Sequence, residues 1–161
     1  MVMPINRCGV KKTKPLAINL DVDGTLKTES WDTNCATDSI TLGKEYKFKP
    51  RPHVIEFVGA LAAYGDVIIC SKASLRYSKE TIKKLGIGAY ITGFMTRDYD
   101  GMGDYDRIIL IDNDREIAKE KVFLLKKHGV VTTVIVDTYK GSDSDHVLMR
   151  DLGKIERIIV A

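Results

Sequence analysis

Asp21, Asp23, Gly24 and Thr25 follow almost directly on Leu16-Ala17-Ile18-Asn19-Leu20, so a mainly apolar run stops abruptly at two carboxylates, a glycine and a hydroxyl. A carboxylate is a competent covalent nucleophile, and a second carboxyl beside it can alternate between general acid and general base. Two residues apart on an extended strand, Asp21 and Asp23 leave on the same side, where like charges repel. A cation is therefore expected between them, and Mg²⁺, which takes hard oxygen ligands, fits best. A second acidic group, Asp112-Asn113-Asp114, closes the apolar run Arg107-Ile108-Ile109-Leu110-Ile111 in the same way. Ser71 ends a third run, Asp66-Val67-Ile68-Ile69-Cys70. A hydroxyl and backbone N–H groups at a strand end, just before a helix, make a phosphate cradle. Asp-Gly also marks tight turns. A hairpin would need a matching strand directly after Gly24, and residues 27–41 are polar and unpatterned.

These residues need strands that end together. Continuous apolar runs are the signature of strands covered on both faces, and ligands in such parallel sheets bind beyond the strand carboxyl ends. Helical spacing of Val54, Phe57, Val58 and Leu61, with Pro52 near the first helical position, predicts a helix between the first two strands. A second helix is predicted from Ser74 to Leu85, closed by Gly86, and a third from the Asp114 cap through Ala118, Val122 and Leu125 toward Gly129. A brief strand at Ala89-Tyr90-Ile91, a polar loop over 94–105, a strand over 131–136 and a final helix from Val147 complete the pattern. Strands alternating with helices predict an α/β domain with a mostly parallel sheet.

The 161 residues, 44% hydrophobic and 29% charged with net charge +3, fit one globular domain over 15–161. No run is long and apolar enough for a membrane span, and no secretory leader is recognised. Net charge +3 does not mark a nucleic-acid binder; the basic excess sits in an arm over residues 1–14, read as solvated. Cys8, Cys35 and Cys70 are an odd number without metal-site spacing, which suits a reducing cytoplasm, and Cys70 is expected to be a free buried thiol. Residues 27–50 read as a short hairpin flap whose Trp31 and Tyr46 either pack it or touch substrate. His53, His128 and His146 read as helix-end residues.

Asp-Xaa-Asp-Gly-Thr after an apolar strand resembles the first motif of the haloacid dehalogenase (HAD) superfamily. Lys49-Pro50-Arg51-Pro52-His53-Val54, Ser71-Lys72-Ala73-Ser74-Leu75-Arg76-Tyr77 and the Asp112-Asn113 pair look like segments of its small C-terminal-domain phosphatases, the NLI-interacting factor-like family. That resemblance implies a three-layer α/β sandwich without a cap domain, and Mg²⁺-dependent phosphomonoester hydrolysis through an aspartyl-phosphate. It assigns Asp21 as nucleophile, Asp23 as acid and base, Gly24, Thr25 and Ser71 to the phosphate, and Asp21, Asp23, Asp112 and Asn113 to Mg²⁺. The family's third motif is a lysine, yet none occurs between Lys84 and Lys119; Arg97 or Lys72 is the expected phosphate-binding cation. A phosphoprotein, a small nucleotide or sugar phosphate, and phosphate binding with little turnover all remain open, as does oligomerisation.

Overall fold

The computed structural model describes residues 15–29 and 48–161. The basic arm over 1–14 and most of the expected flap, with Trp31 and Tyr46, lie outside the described residues. Five strands, β1 (Leu16–Leu20), β2 (Asp66–Cys70), β3 (Ile91–Thr96), β5 (Arg107–Asp112) and β6 (Val130–Ile135), run parallel. The two-residue β4 (Tyr99–Asp100) turns back antiparallel on β3. The sheet order is β4-β3-β2-β1-β5-β6. The chain thus moves outward from β1 to β3, then returns to the other side of β1 with β5. A reversal of this kind opens a crevice at the carboxyl ends of the two strands that flank it.

Every residue of β1 and β2 is buried, which is why both read as continuous apolar runs. Alternation along the strands divides the core. Ile18, Leu20, Val67, Ile69, Ile109 and Ile111 face one layer, formed by α1 (Val54–Ala62), α2 (Leu75–Leu85) and α4 (Val147–Val160). Ala17, Ile68, Cys70, Ile108 and Leu110 face the other, where α3 (Arg115–Leu125) packs through Ala118 and Leu125.

The helix boundaries follow local chemistry. Ser74 caps α2 by accepting from the Tyr77 N–H, and Gly86 ends it in the left-handed conformation, φ 74°. Asp114 caps α3 by accepting from the N–H groups of Glu116 and Ile117. Two sequence expectations change. The strand expected at 89–91 runs over Ile91–Thr96 after a 3₁₀ turn at Gly88–Tyr90, and part of the polar loop is the β3–β4 hairpin. The ladder to β2, pairing Ile69 with Phe94 and Cys70 with Met95, draws these residues into the sheet despite their polar surroundings. Among the described residues no helix is long and apolar enough to cross a membrane.

Arg51 fixes the loop after β1. Almost fully buried, it grips Asp145 from Nε at 2.9 Å and Nη2 at 3.2 Å while Nη1 donates to the Thr25 carbonyl at 3.1 Å. Its guanidinium also lies 5.4 Å from the Tyr139 ring centre. Removing one partner of such a pair leaves a buried charge uncompensated. Asp145→Ala is expected to destabilise the fold by about 3–5 kcal/mol, read as a lower midpoint in urea denaturation; an unchanged midpoint would contradict this account of Arg51.

Candidate active site

Strand parity aims the polar groups. Asp21 continues the Ala17, Asn19 side of β1, Asp112 the Ile108, Leu110 side of β5, and Cys70 the Ile68 side of β2, so all three face α3. The ladder continues past the strand end, with the Asp21 N–H donating to the Ile111 carbonyl at 2.9 Å. The two carboxylates are therefore held side by side at the crevice. Ser71 reaches the same level on β2, its N–H bonded to the Met95 carbonyl at 3.0 Å and its Oγ accepting from Ala73 N–H at 3.1 Å. Asp21, Asp23, Ser71, Lys72, Asp112, Asn113 and Lys121 line one cleft of about 270 Å³.

The cation that meets Asp21 is Lys121, a residue that sequence order did not nominate. Its Nζ donates to Asp21 Oδ1 at 2.8 Å, to Asp112 Oδ2 at 2.7 Å and to the Cys70 carbonyl at 2.8 Å, and its side chain is 5% exposed. All three ammonium protons are satisfied. Burial disfavours its charge, but Asp21 and Asp112 outweigh that and hold its pKa above the ordinary lysine value. Neither expected cation makes this contact. Lys72 lines the cleft but pairs with Glu120 on the surface, and Arg97 lines a neighbouring pocket. The clue in the sequence was the stripe on α3: the buried positions are Ala118, Lys121 and Leu125, so a lysine stands where the helix should present an apolar residue.

Gly24 and Thr25 shape the loop instead of facing the cleft openly. Gly24 adopts φ +80°, and a Cβ there would lie 2.5 Å from Asn113 Nδ2, so both conformation and space demand glycine. Thr25 is fully buried; its hydroxyl lies 2.9 Å from Asp21 Oδ2 and 3.2 Å from Asn113 Oδ1. Asp23 Oδ1 accepts from the Tyr77 hydroxyl at 3.0 Å and pairs with Lys27. The Lys27 side chain is wholly buried, donates to the Thr28 carbonyl at 3.0 Å and sits beside the Phe48 and Tyr77 rings. It too escaped sequence reading, which took the stretch after Leu26 as uniformly polar.

Desolvation is the largest influence on Asp21 and raises its pKa from 3.8 to about 6, with Lys121 pulling down and Asp112 pushing up. Cys70 is a free buried thiol that burial pushes up to about 11, so it stays neutral and unreactive at neutral pH.

The oxygens present suit a small divalent ion. Among the described residues no cluster of three or more His, Cys, Asp or Glu side chains is placed to hold a metal; the donor set is mixed instead. With Asn113 Oδ1 inward, that oxygen lies 2.9 Å from Asp21 Oδ2 and 3.0 Å from the Asp23 carbonyl oxygen. Oxygens repel at such spacing unless a cation lies among them, and about 2.9 Å is the edge of an octahedron with Mg–O bonds of about 2.0–2.1 Å. In the opposite amide orientation its NH₂ donates to the same oxygens while Oδ1 accepts from Thr138. Asp112, expected among the ligands, instead gives Oδ2 to Lys121 and Oδ1 to the Asp114 N–H at 3.0 Å.

Residues 16–159 match the family described as NLI interacting factor-like phosphatase. The chain belongs to that family. It is a phosphatase, and phosphorylated molecules are its substrates. The HAD domain of the effector protein Lem4 from Legionella pneumophila shares the fold, with TM-score 0.57 and 11% identity over 92% of this chain and 95% of that one. An inactive mutant of the same domain gives TM-score 0.54 and 13% identity over 92% and 94%. No curated protein matches the sequence.

A raised pKa at Asp21 means that the folded phosphatase retains a proton which the unfolded chain gives up. That contribution is complete below about pH 4 and disappears as pH climbs through about 6. In divalent-free buffer Asp21→Asn should therefore be more stable than the parent at pH 7.5, with the difference closing toward pH 4. Denaturant titration at the two pH values checks this, and a difference of the opposite sign at pH 7.5 would reject it.

Proposed function

We propose that the protein hydrolyses phosphomonoesters through an aspartyl-phosphate on Asp21, with Mg²⁺ as cofactor. The observation that carries this reading is the Asp21 carboxylate itself. Its Oδ2 is bound by Thr25 and faces the Asn113 and Asp23 oxygens, which leaves Oδ1, beside Lys121, to attack. Asp21, Asn113 and the Asp23 carbonyl would hold the ion. When bound, it supplies Lewis-acid charge to the phosphoryl oxygens.

The chain's own groups account for the proton and bond changes. Asp21 Oδ1 forms a bond to phosphorus as the ester P–O bond breaks, and Asp23 gives its proton to the departing oxygen. Lys27 and Tyr77 both engage Asp23 Oδ1, leaving Oδ2 for the proton. In the second half Asp23 takes a proton from water, the resulting hydroxide attacks phosphorus, and the bond to Asp21 breaks to release inorganic phosphate. Lys121 offsets negative charge throughout from a site where water cannot screen it. Ser71, which lines the cleft, would offer its hydroxyl to the phosphate in this scheme.

Lys121 also removes the reason to read the protein as a phosphate-binding module with little turnover, since the cation missing from sequence order is supplied by α3. We place the catalytic domain over 15–161 with a flap at 27–50, and the unpaired Cys70 supports a reducing, cytoplasmic setting. A phosphoprotein is the substrate class the family favours; nucleotide and sugar phosphates are the alternative, which a substrate panel separates.

Asp21→Asn is expected to abolish hydrolysis of an aryl phosphate with the fold intact by circular dichroism, and to abolish capture of beryllofluoride with Mg²⁺. Full activity in that variant would reject the mechanism. Lys121→Met should lower kcat on the order of 10²–10³, comparable to losing one preorganised donor, whereas Lys72→Met should change it far less.

A further inference from the structure

A second pocket, of about 280 Å³, opens beside the catalytic cleft and shares Ser71, Lys72 and Lys121 with it. Its walls are apolar: Met95 at the end of β3 and Leu124 on α3, the latter 53% exposed and so not explained by core packing. Its rim carries Lys72 and Arg97. Arg97 is fixed through its backbone, the N–H bonded to the Ala73 carbonyl at 3.1 Å, yet its guanidinium makes no side-chain hydrogen bond among the described residues.

Two acids stand near these cations, Asp98 beside Arg97 and Glu120 beside Lys72. Asp98 Oδ1 accepts from the Leu75 N–H at 2.8 Å and from the Thr96 hydroxyl at 3.1 Å, which ties that carboxylate to the start of α2. Glu120 pairs with Lys72, but both side chains are more than half exposed, at 58% and 55%. Exposed pairs of this kind contribute little and yield to a better anion. An arginine fork held at a pocket rim with its donors open is suited to bidentate contact with a phosphate or carboxylate.

We propose that this pocket binds the leaving group of the substrate and that Arg97, aided by Lys72, grips a second anionic group on it. The substrate class is then a phosphomonoester whose alcohol carries an apolar spacer and a further phosphate or carboxylate. This rests on the phosphomonoesterase reading, because the first phosphate must sit at Asp21. Arg97 acts here on specificity, at the far end of the substrate, and not on the reacting phosphoryl group.

The test uses linear alkanediol bisphosphates of graded chain length, ω-carboxyalkyl phosphates of matching length, and plain alkyl phosphates. The wild-type chain should prefer one spacer length in the doubly anionic series over the plain ester by tenfold or more in kcat/KM, the size of one charge-assisted hydrogen bond. In Arg97→Ala the ratio of doubly to singly anionic substrate should fall toward one, the loss appearing in KM, and Arg97→Lys should restore part of it. The bisphosphate and carboxylate arms show which anion the rim prefers. Absence of a wild-type preference at every length, or a ratio unchanged in Arg97→Ala, overturns the proposal. Calorimetric binding of the best bisphosphate to Asp21→Asn, compared with Asp21→Asn/Arg97→Ala, reads the same subsite without turnover. Failure of hydrolysis alone would therefore indict the mechanism, and equal binding by those two proteins would indict the subsite.

Discussion

Two carboxylates on neighbouring strand tips, forced by alternation onto the same face of the sheet, cannot be buried without a positive charge between them. Lys121 is that charge, and Asp21 and Asp112 are both within hydrogen-bond reach of it. Because each buried ion costs several kcal/mol to desolvate, the arrangement survives only with every polar atom satisfied. The Lys121 ammonium fills its third position with the Cys70 carbonyl, which ties β2 to the same point. Two carboxylates and one ammonium still leave a negative charge, and the oxygens around Asn113 lie where a divalent ion would reverse it.

The fold supplies this constraint through connectivity. A reversal of direction at β1 brings β5 to its side, so residues 91 positions apart in the chain stand next to each other with their carboxylates in register. The Gly24 turn then folds back close to Asn113, with the Tyr139 N–H donating to the Gly24 carbonyl at 2.8 Å. Arg51 holds that loop from behind by donating to the Thr25 carbonyl. What positions Asp21 is therefore a network drawn from the loop after β1, the segment before α1 and the turn before α4.

Much of this was legible because it is local. The strand tips at Asp21, Ser71 and Asp112, the caps at Ser74 and Asp114, and the left-handed Gly86 all depend on neighbours within a few residues. What escaped was set by tertiary contact. The β3–β4 hairpin has polar, glycine-bearing sequence and becomes strand only through its ladder to β2. Lys27 follows a turn and reads as solvated, but pairing with Asp23 and the rings of Phe48 and Tyr77 bury it. Lys121 was hidden by an assumption about order: a cation was sought before Asp112, whereas the structure recruits one nine residues after it.

The relocation follows from helix geometry. Side chains on an α-helix lean toward its N-terminus, and the start of α3 lies at the tip of β5. A lysine two turns along, with its long stem, can send its ammonium back to the strand ends while its methylenes line the adjoining wall. Charge at a point is what the chemistry requires, and it can come from any element that reaches that point. Supplying it from α3 has a second consequence at the end of β3, where a cation arriving in sequence order would have entered. That side of the cleft is a pocket lined by Met95, Leu124, Lys121 and Arg97, among others. One lysine on α3 thus meets both carboxylates, and the end of β3 carries no part of that ion cluster.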